Sequence, residues 1–274
     1  MNFHKEKMYK KIAIIAAKKN QEAEDKKNFL VKKFGFSDLS LNHQNVVNSA
    51  NDYYDLVIAV GGDGLMLHLL HEYEKNPVPI YGINCGTVGF LMNSFCEENF
   101  LENLDQAKIA PLNPLRMSVV DSAGKTHTHI AINEVSLLRQ TSQIAKIRIE
   151  VNGQERISCL AADGVLLSTA AGSTAYNFSA GGPIIPFGAE ILALTPISPF
   201  RPRKWHGALL PANSEVKFEI LEQENRPTSA TADSIEVRDV KEVRVVRDNS
   251  ITFKILFDSN HSLEERIIHE QFNN

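Results

Sequence analysis

Hydrophobic and polar positions along the chain change rhythm near residue 110. Before that point, short apolar runs alternate with stretches in which apolar side chains recur every three or four residues, the rhythm of strands interleaved with helices. Residues 11–17 and 56–60 are apolar runs suited to buried parallel strands, and 79–83 reads as a third. Phe29, Leu30 and Phe34 share one face of the charged segment 20–34, while 64–75 and 97–107 read as two further helices, the second with Phe100, Leu101 and Leu104 on one side. This alternation predicts a parallel sheet covered by helices.

Beyond Pro111 and Pro114 the pattern shortens to strands separated by turn signals, among them Ser122-Ala123-Gly124, Asn152-Gly153 and Asp248-Asn249. Asn152-Gly153 follows the alternating run Lys146-Ile147-Arg148-Ile149-Glu150-Val151 and suits a type I′ turn, which wants positive φ at both positions, so a hairpin is predicted there. Residues 196–202 carry three prolines and read as a loop, and 261–272 as a closing helix. The expected fold is an α/β N-terminal domain with a parallel sheet over residues 1–110, plus a mainly β, sandwich-like C-terminal domain over 111–274. The C-terminal segment is left free to pack back on the first domain.

Composition narrows the function classes. Of 274 residues 43% are hydrophobic, enough to bury one large core or two smaller ones. With 29 basic against 33 acidic residues and a net charge of -4, there is no basic footprint for nucleic acid. No apolar run approaches the roughly 20 residues that span a bilayer, so no membrane association is expected. Lys5, Lys7, Lys10 and Lys11 precede an apolar stretch of only residues 12–17, which reads as a strand rather than a signal peptide. Cys85, Cys96 and Cys159 form no even framework and no C-x-x-C, which suits a reducing cytoplasm.

The chemistry concentrates in four segments. Gly61-Gly62-Asp63-Gly64 lies between the strand 56–60 and the helix that follows, where glycines let backbone N–H groups approach phosphate oxygens. A plain strand-to-helix turn with Asp63 as a cap is the simpler alternative. Neither a P-loop nor a G-x-G-x-x-G fits, since Leu67 stands where the third glycine would fall. A second glycine segment, Gly82-Ile83-Asn84-Cys85-Gly86-Thr87-Val88-Gly89-Phe90-Leu91, follows the next strand and suggests the same crevice. Further on, Asn133-Glu134 interrupts the apolar run 130–138 and Asp163 interrupts 159–167, and a polar group inside an apolar strand needs a partner, solvent or a ligand. Residues 168–183 are rich in small and hydroxyl side chains around Tyr176, which offers a stacking face. His127 and His129 share one strand face without a third ligand, so they are assigned no metal.

Taken in order, the GGDG loop, the Asn133-Glu134 pair and the stretch from Asp163-Gly164 through Ser168-Thr169 to Gly172-Ser173-Thr174-Ala175-Tyr176 resemble the NAD kinase family. The resemblance implies transfer of a phosphoryl group from ATP, with Mg²⁺ or another divalent cation, to the adenosine-ribose 2′-hydroxyl of NAD⁺, giving NADP⁺. It also implies a homodimer or homotetramer. On this resemblance Asp63 is the catalytic acid–base residue, and Gly61, Gly62 and Gly64 contact phosphates. Gly64, His68, Phe90, Asn133, Glu134, Asp163, Thr174, Ala175, Tyr176, Asn177 and Ser179 contact the substrate, and the metal ligands are left unassigned. His68 and His71 as a helix-face pair have an equally good structural reading. Leu65 replaces a frequent Thr, Ala170 a frequent Pro, and Asp233-Ser234-Ile235 stands where many relatives carry D-[GS]-Q, which leaves that contact open. A GGDG-type lipid or sugar kinase and a non-catalytic NAD-binding sensor are the competing readings.

Overall fold

The computed structural model describes residues 9–39, 54–86 and 89–259, so the helix expected at 261–272 lies outside the described residues. The chain divides into two compact units, Met1–Leu112 with Thr252–Asn274, and Asn113–Ile251.

In the first unit the strands are β1 (Ile12–Ala16), β2 (Ser37–Asp38), β3 (Leu56–Gly61), β4 (Ile80–Asn84) and β5 (Lys108–Leu112), with a last strand at Phe253–Phe257. Helices α1 (Gln21–Phe34), α2 (Asp63–Glu72) and α3 (Phe100–Gln106) connect them. The sheet runs β2-β1-β3-β4, then the Phe253–Phe257 strand, then β5; all pairs are parallel except the last. Every residue of β3 is buried, as its unbroken apolar run requires. Helix α1 starts where Asn20 Oδ1 accepts the N–H of Ala23 at 3.1 Å and stops at Gly35, whose φ of 73° only glycine adopts at no cost. The same Asn20 donates from Nδ2 to Cys85 O (3.0 Å), pinning the head of α1 to the carboxyl end of β4.

The second unit holds two six-stranded antiparallel sheets. The first, in spatial order β10-β9-β14-β17-β6-β7, is formed by β6 (Leu115–Asp121), β7 (Thr126–Ala131), β9 (Ala145–Val151), β10 (Gln154–Ala162), β14 (Val216–Ile220) and β17 (Val240–Arg247). The second, β13-β12-β11-β8-β15-β16, is formed by β8 (Glu134–Arg139), β11 (Gly164–Ser168), β12 (Ile191–Ile197), β13 (Ala208–Pro211), β15 (Thr228–Ala232) and β16 (Ile235–Val237). Alternate residues of β9 and β14 are buried, and one apolar cluster joins Ile147, Ile149 and Phe218 of one sheet to Val135, Leu137 and Val165 of the other. The β9–β10 hairpin turns at Asn152 and Gly153 with φ of 53° and 75°.

Two expectations need correction. Pro196 sits within β12 rather than in a loop, because the irregular backbone begins only at Ser198. Asn133, Glu134 and Asp163 do not interrupt strands. They stand where the chain leaves one sheet for the other, between β7 and β8 and between β10 and β11, with Glu134 as the first residue of β8. At such crossings the ladder on one side ends, and polar groups of the chain need other partners.

Candidate functional site

The glycine turn of the first unit is built by strand end and helix start. β3 ends at Gly61, Gly62 is the extended N-cap residue of α2 (φ −124°), and no side chain caps that helix. The three glycines differ in what demands them. A Cβ on Gly61 would stand 2.9 Å from the Cβ of Ala17 and 3.0 Å from Leu65, so packing alone requires glycine there. Among the described residues a Cβ on Gly62 or Gly64 would meet nothing within 4 Å, and neither glycine has a left-handed φ. Packing among the described residues therefore does not explain these two glycines.

Asp63, the first residue of α2, does not cap its own helix. Its Oδ2 accepts the N–H of Phe90 at 2.9 Å and its Oδ1 that of Leu91 at 3.0 Å. This brings the GGDG turn and the second glycine segment together, a link strengthened by the 2.7 Å bond from Cys85 N to Gly61 O. The Asp63 side chain is half-buried. His68 is exposed one turn along α2 and Phe90 is half-buried.

In the second unit, Asn133 and Glu134 lie in a short crossing loop held from both sides. Asp233 accepts the N–H groups of Ile132 (2.7 Å), Asn133 (3.0 Å) and Glu134 (3.2 Å) on its carboxylate. On the other side, Thr169 Oγ1 donates to Ile132 O (2.7 Å), and Thr169 N and Ser168 Oγ donate to Asn133 O (2.9 and 3.3 Å). Gly172 presses against the same loop: a Cβ there would sit 2.3 Å from Asn133 O. With its backbone so fully engaged, the loop leaves two buried side-chain acceptors, Asn133 Oδ1 and Glu134 Oε2, with no hydrogen-bond partner among the described residues. Burial, reinforced by the neighbouring Asp233 carboxylate, raises the Glu134 carboxyl to about 7.

The run after β11 folds as a 3₁₀ turn, Ala171–Thr174, and a short helix, Tyr176–Ser179. Thr174, Ala175 and Tyr176 are half-buried and Ser179 is exposed. Burial, and to a lesser extent the charges of Glu134 and Asp163, raises the pKa of the Tyr176 hydroxyl. Asp163 is partly committed, since Arg139 Nε donates to its Oδ1 at 2.5 Å. Asn177 has its side chain turned inward. It is fully buried, its Nδ2 donates to Ser173 O (3.1 Å) and Pro183 O (2.9 Å), and its Oδ1 accepts from Thr195 Oγ1 (2.7 Å), so its side chain is an internal strut. Thr169, Gly172 and Asp233 are the site-building residues that motif reading left without a role.

The first unit thus offers a glycine turn opening a helix at a strand's carboxyl end, and the second a loop with two buried, unpartnered side-chain acceptors. Models of the ATP-NAD kinase N-terminal and C-terminal domains match residues 3–108 and 132–250. The NAD kinase of Caulobacter vibrioides is 54% identical over 217 residues, 79% of this chain and 84% of its own. That of Rickettsia bellii is 51% identical over 218 residues, 80% of this chain and 86% of its own. Among solved structures, yeast NADH kinase complexed with NADH superposes with a TM-score of 0.78 at 21% identity, covering 96% of this chain and 88% of that one. An NAD kinase from Archaeoglobus fulgidus in complex with ATP gives 0.72 at 23% identity, covering 95% and 98%. These two share the fold. The chain belongs to the NAD kinase family.

Proposed function

We infer that the protein transfers the γ-phosphoryl group of ATP to the 2′-hydroxyl of the adenosine ribose of NAD⁺, giving NADP⁺ and ADP. The observation that carries this reading is the pair of buried acceptors, Asn133 Oδ1 and Glu134 Oε2, left unpartnered in a loop whose backbone is otherwise fully engaged. Buried polar groups without partners are costly, so a ligand with matching donors, such as adenosine hydroxyl and amino groups, is their natural complement. Tyr176 supplies a stacking face and Asp163 a further acceptor for the other nucleoside.

A sugar hydroxyl is a poor nucleophile at neutral pH, and a positioned carboxylate helps by taking its proton as the O–P bond forms, worth roughly 10²–10⁴-fold. Asp63 is the candidate: the N–H groups of Phe90 and Leu91 fix the plane of its carboxylate. The 2′-oxygen then bonds to the γ-phosphorus as the bond to the β–γ bridging oxygen breaks, and ADP leaves with that electron pair. Gly62 and Gly64 leave room for phosphate oxygens near the head of α2, where the helix dipole favours negative charge. Among the described residues no group of three or more His, Cys, Asp or Glu side chains converges to hold a metal. A divalent cation would be carried by the ATP phosphates, as Mg²⁺ commonly is, and would neutralise their charge during transfer.

Similarity to the NAD kinases and the lack of any described helix long and apolar enough to cross a membrane support a cytoplasmic location. Similarity also supports a homodimer or homotetramer, which sedimentation would test. For the activity itself, incubation with ATP, Mg²⁺ and NAD⁺ followed by detection of NADP⁺ with an NADP-specific dehydrogenase is decisive. NADP⁺ formation that requires all three supports the reading, and its absence from a folded preparation removes it.

A further inference from the structure

We propose that Asp233 is a positioning residue for the dinucleotide: it gathers the N–H groups of Ile132, Asn133 and Glu134 and thereby presents Asn133 Oδ1 and Glu134 Oε2 to the ligand. The proposal rests on the reading that this pair holds the adenosine part of NAD⁺.

The geometry is local and specific. Asp233 and Ser234 form the two-residue turn between β15 and β16, since Ala232 pairs with Ile235. Asp233 adopts a φ of 50°, a left-handed conformation that Asp and Asn tolerate and most side chains resist. Its own N–H donates to Glu134 O at 3.1 Å, extending the ladder that pairs β15 with β8 one step past Ala232 and Val135. From that register its carboxylate reaches three consecutive N–H groups at the point where the chain enters β8, at 2.7, 3.0 and 3.2 Å.

Only an acceptor with two oxygens satisfies all three donors in this arrangement, with Oδ2 on Ile132 and Oδ1 shared by Asn133 and Glu134. An amide would set an NH₂ against one donor. A glycine would leave all three unpaired while keeping the left-handed turn. The carbonyl side of the loop, tied to Thr169 and Ser168, would hold in either case. Loss of Asp233 should therefore let the loop rotate about its carbonyl anchors and misaim the two side chains without unfolding the sheet.

Calorimetric titration of the full chain with NAD⁺ alone tests this with Asp233→Asn and Asp233→Gly. The expected result is a Kd for NAD⁺ raised about tenfold in the first and more in the second, in keeping with the loss of charge-assisted hydrogen bonds. The Kd for ATP should stay within about twofold. In an Asn133→Ala background, Asp233→Asn should cost much less than in the wild type, because residues acting through one loop are non-additive. An unchanged Kd in Asp233→Gly, or an equal penalty with and without Asn133, would overturn the positioning role while leaving the pair's own role intact. Failure of the wild-type chain to bind NAD⁺ would instead overturn the reading of the pair, and the proposal with it.

Discussion

The glycine turn of the first unit and the crossing loop of the second solve opposite problems. Around Gly62 and Gly64 the described residues leave open space: no side-chain cap and no atom within 4 Å of a hypothetical Cβ. Around Asn133 and Glu134 it supplies constraint, with N–H groups fixed by Asp233, carbonyls by Thr169 and Ser168, and Gly172 against the backbone. On the proposed reading, phosphates are bulky, charged and met by backbone donors, so a turn that receives them needs room. A nucleoside is read by a few directional hydrogen bonds, so the groups that read it need a rigid mount.

The sharpest way to break this comparison lies at Asp63, the one rigidly held side chain of the open turn. Asp63→Asn is expected to lower kcat by about two orders of magnitude or more, with a much smaller change in the Kd for NAD⁺. The variant also gives up one N–H···O contact to Phe90 or Leu91, at about 1 kcal/mol of stability, which thermal unfolding separates from the catalytic loss. Turnover within threefold of wild type would leave Asp63 as a strut between two glycine segments.

Gly172→Ala attacks the constrained side. A methyl 2.3 Å from Asn133 O has to push backbone, so the expected cost is about 1–3 kcal/mol in stability together with a Kd for NAD⁺ raised roughly tenfold or more. Wild-type affinity in this variant would mean that the loop is softer than its bonds suggest. In the open turn the same substitution sorts the glycines: Gly61→Ala should destabilise, whereas Gly62→Ala should leave Tm nearly unchanged and raise the KM for ATP several-fold. If Gly62→Ala alters Tm and spares the KM for ATP, the open space is not a phosphate seat.

Much of this was legible in the residues. Periodicity located β3 and α2, and Asn152-Gly153 announced its hairpin because the turn type dictates the residues. The acidic breaks at Asn133-Glu134 and Asp163 were visible as chemistry but misplaced as strand interior, since an apolar run reads the same whether it continues in one sheet or crosses to another. Asp233 was noticed only through its motif position. Its contacts reach back about a hundred residues, to 132–134, and depend on strand register, which no local pattern encodes. Asn177 lies in a stretch predicted to contact the dinucleotide, yet burial turns its amide inward. Local rules reveal elements and turns, while pairing across distant strands decides which polar side chains face a ligand.

The smallest expected effect tests whether the constrained loop carries a standing cost. Glu134 is held near Asp233 and Tyr176 in a buried setting that raises its carboxyl from 4.5 to about 7. A carboxyl whose folded value is raised favours the fold when protonated; below the unfolded value near 4.5 nothing is lost, and stability falls as pH climbs through about 7. Glu134→Gln removes the ionisation, so in the absence of ligand the variant should match wild type near pH 4 and exceed it at pH 8, by on the order of 2 kcal/mol or a few degrees in Tm. NAD⁺ affinity should fall in the same variant at pH 8 if the ionised carboxylate is the acceptor for adenosine. Stability and affinity would then move in opposite directions at one residue, as expected where a binding group is kept unpaired in the free protein. A parallel loss of both would show that Glu134 supports the loop internally, and the contrast between an open turn and a poised one would have to be redrawn around Asn133 alone.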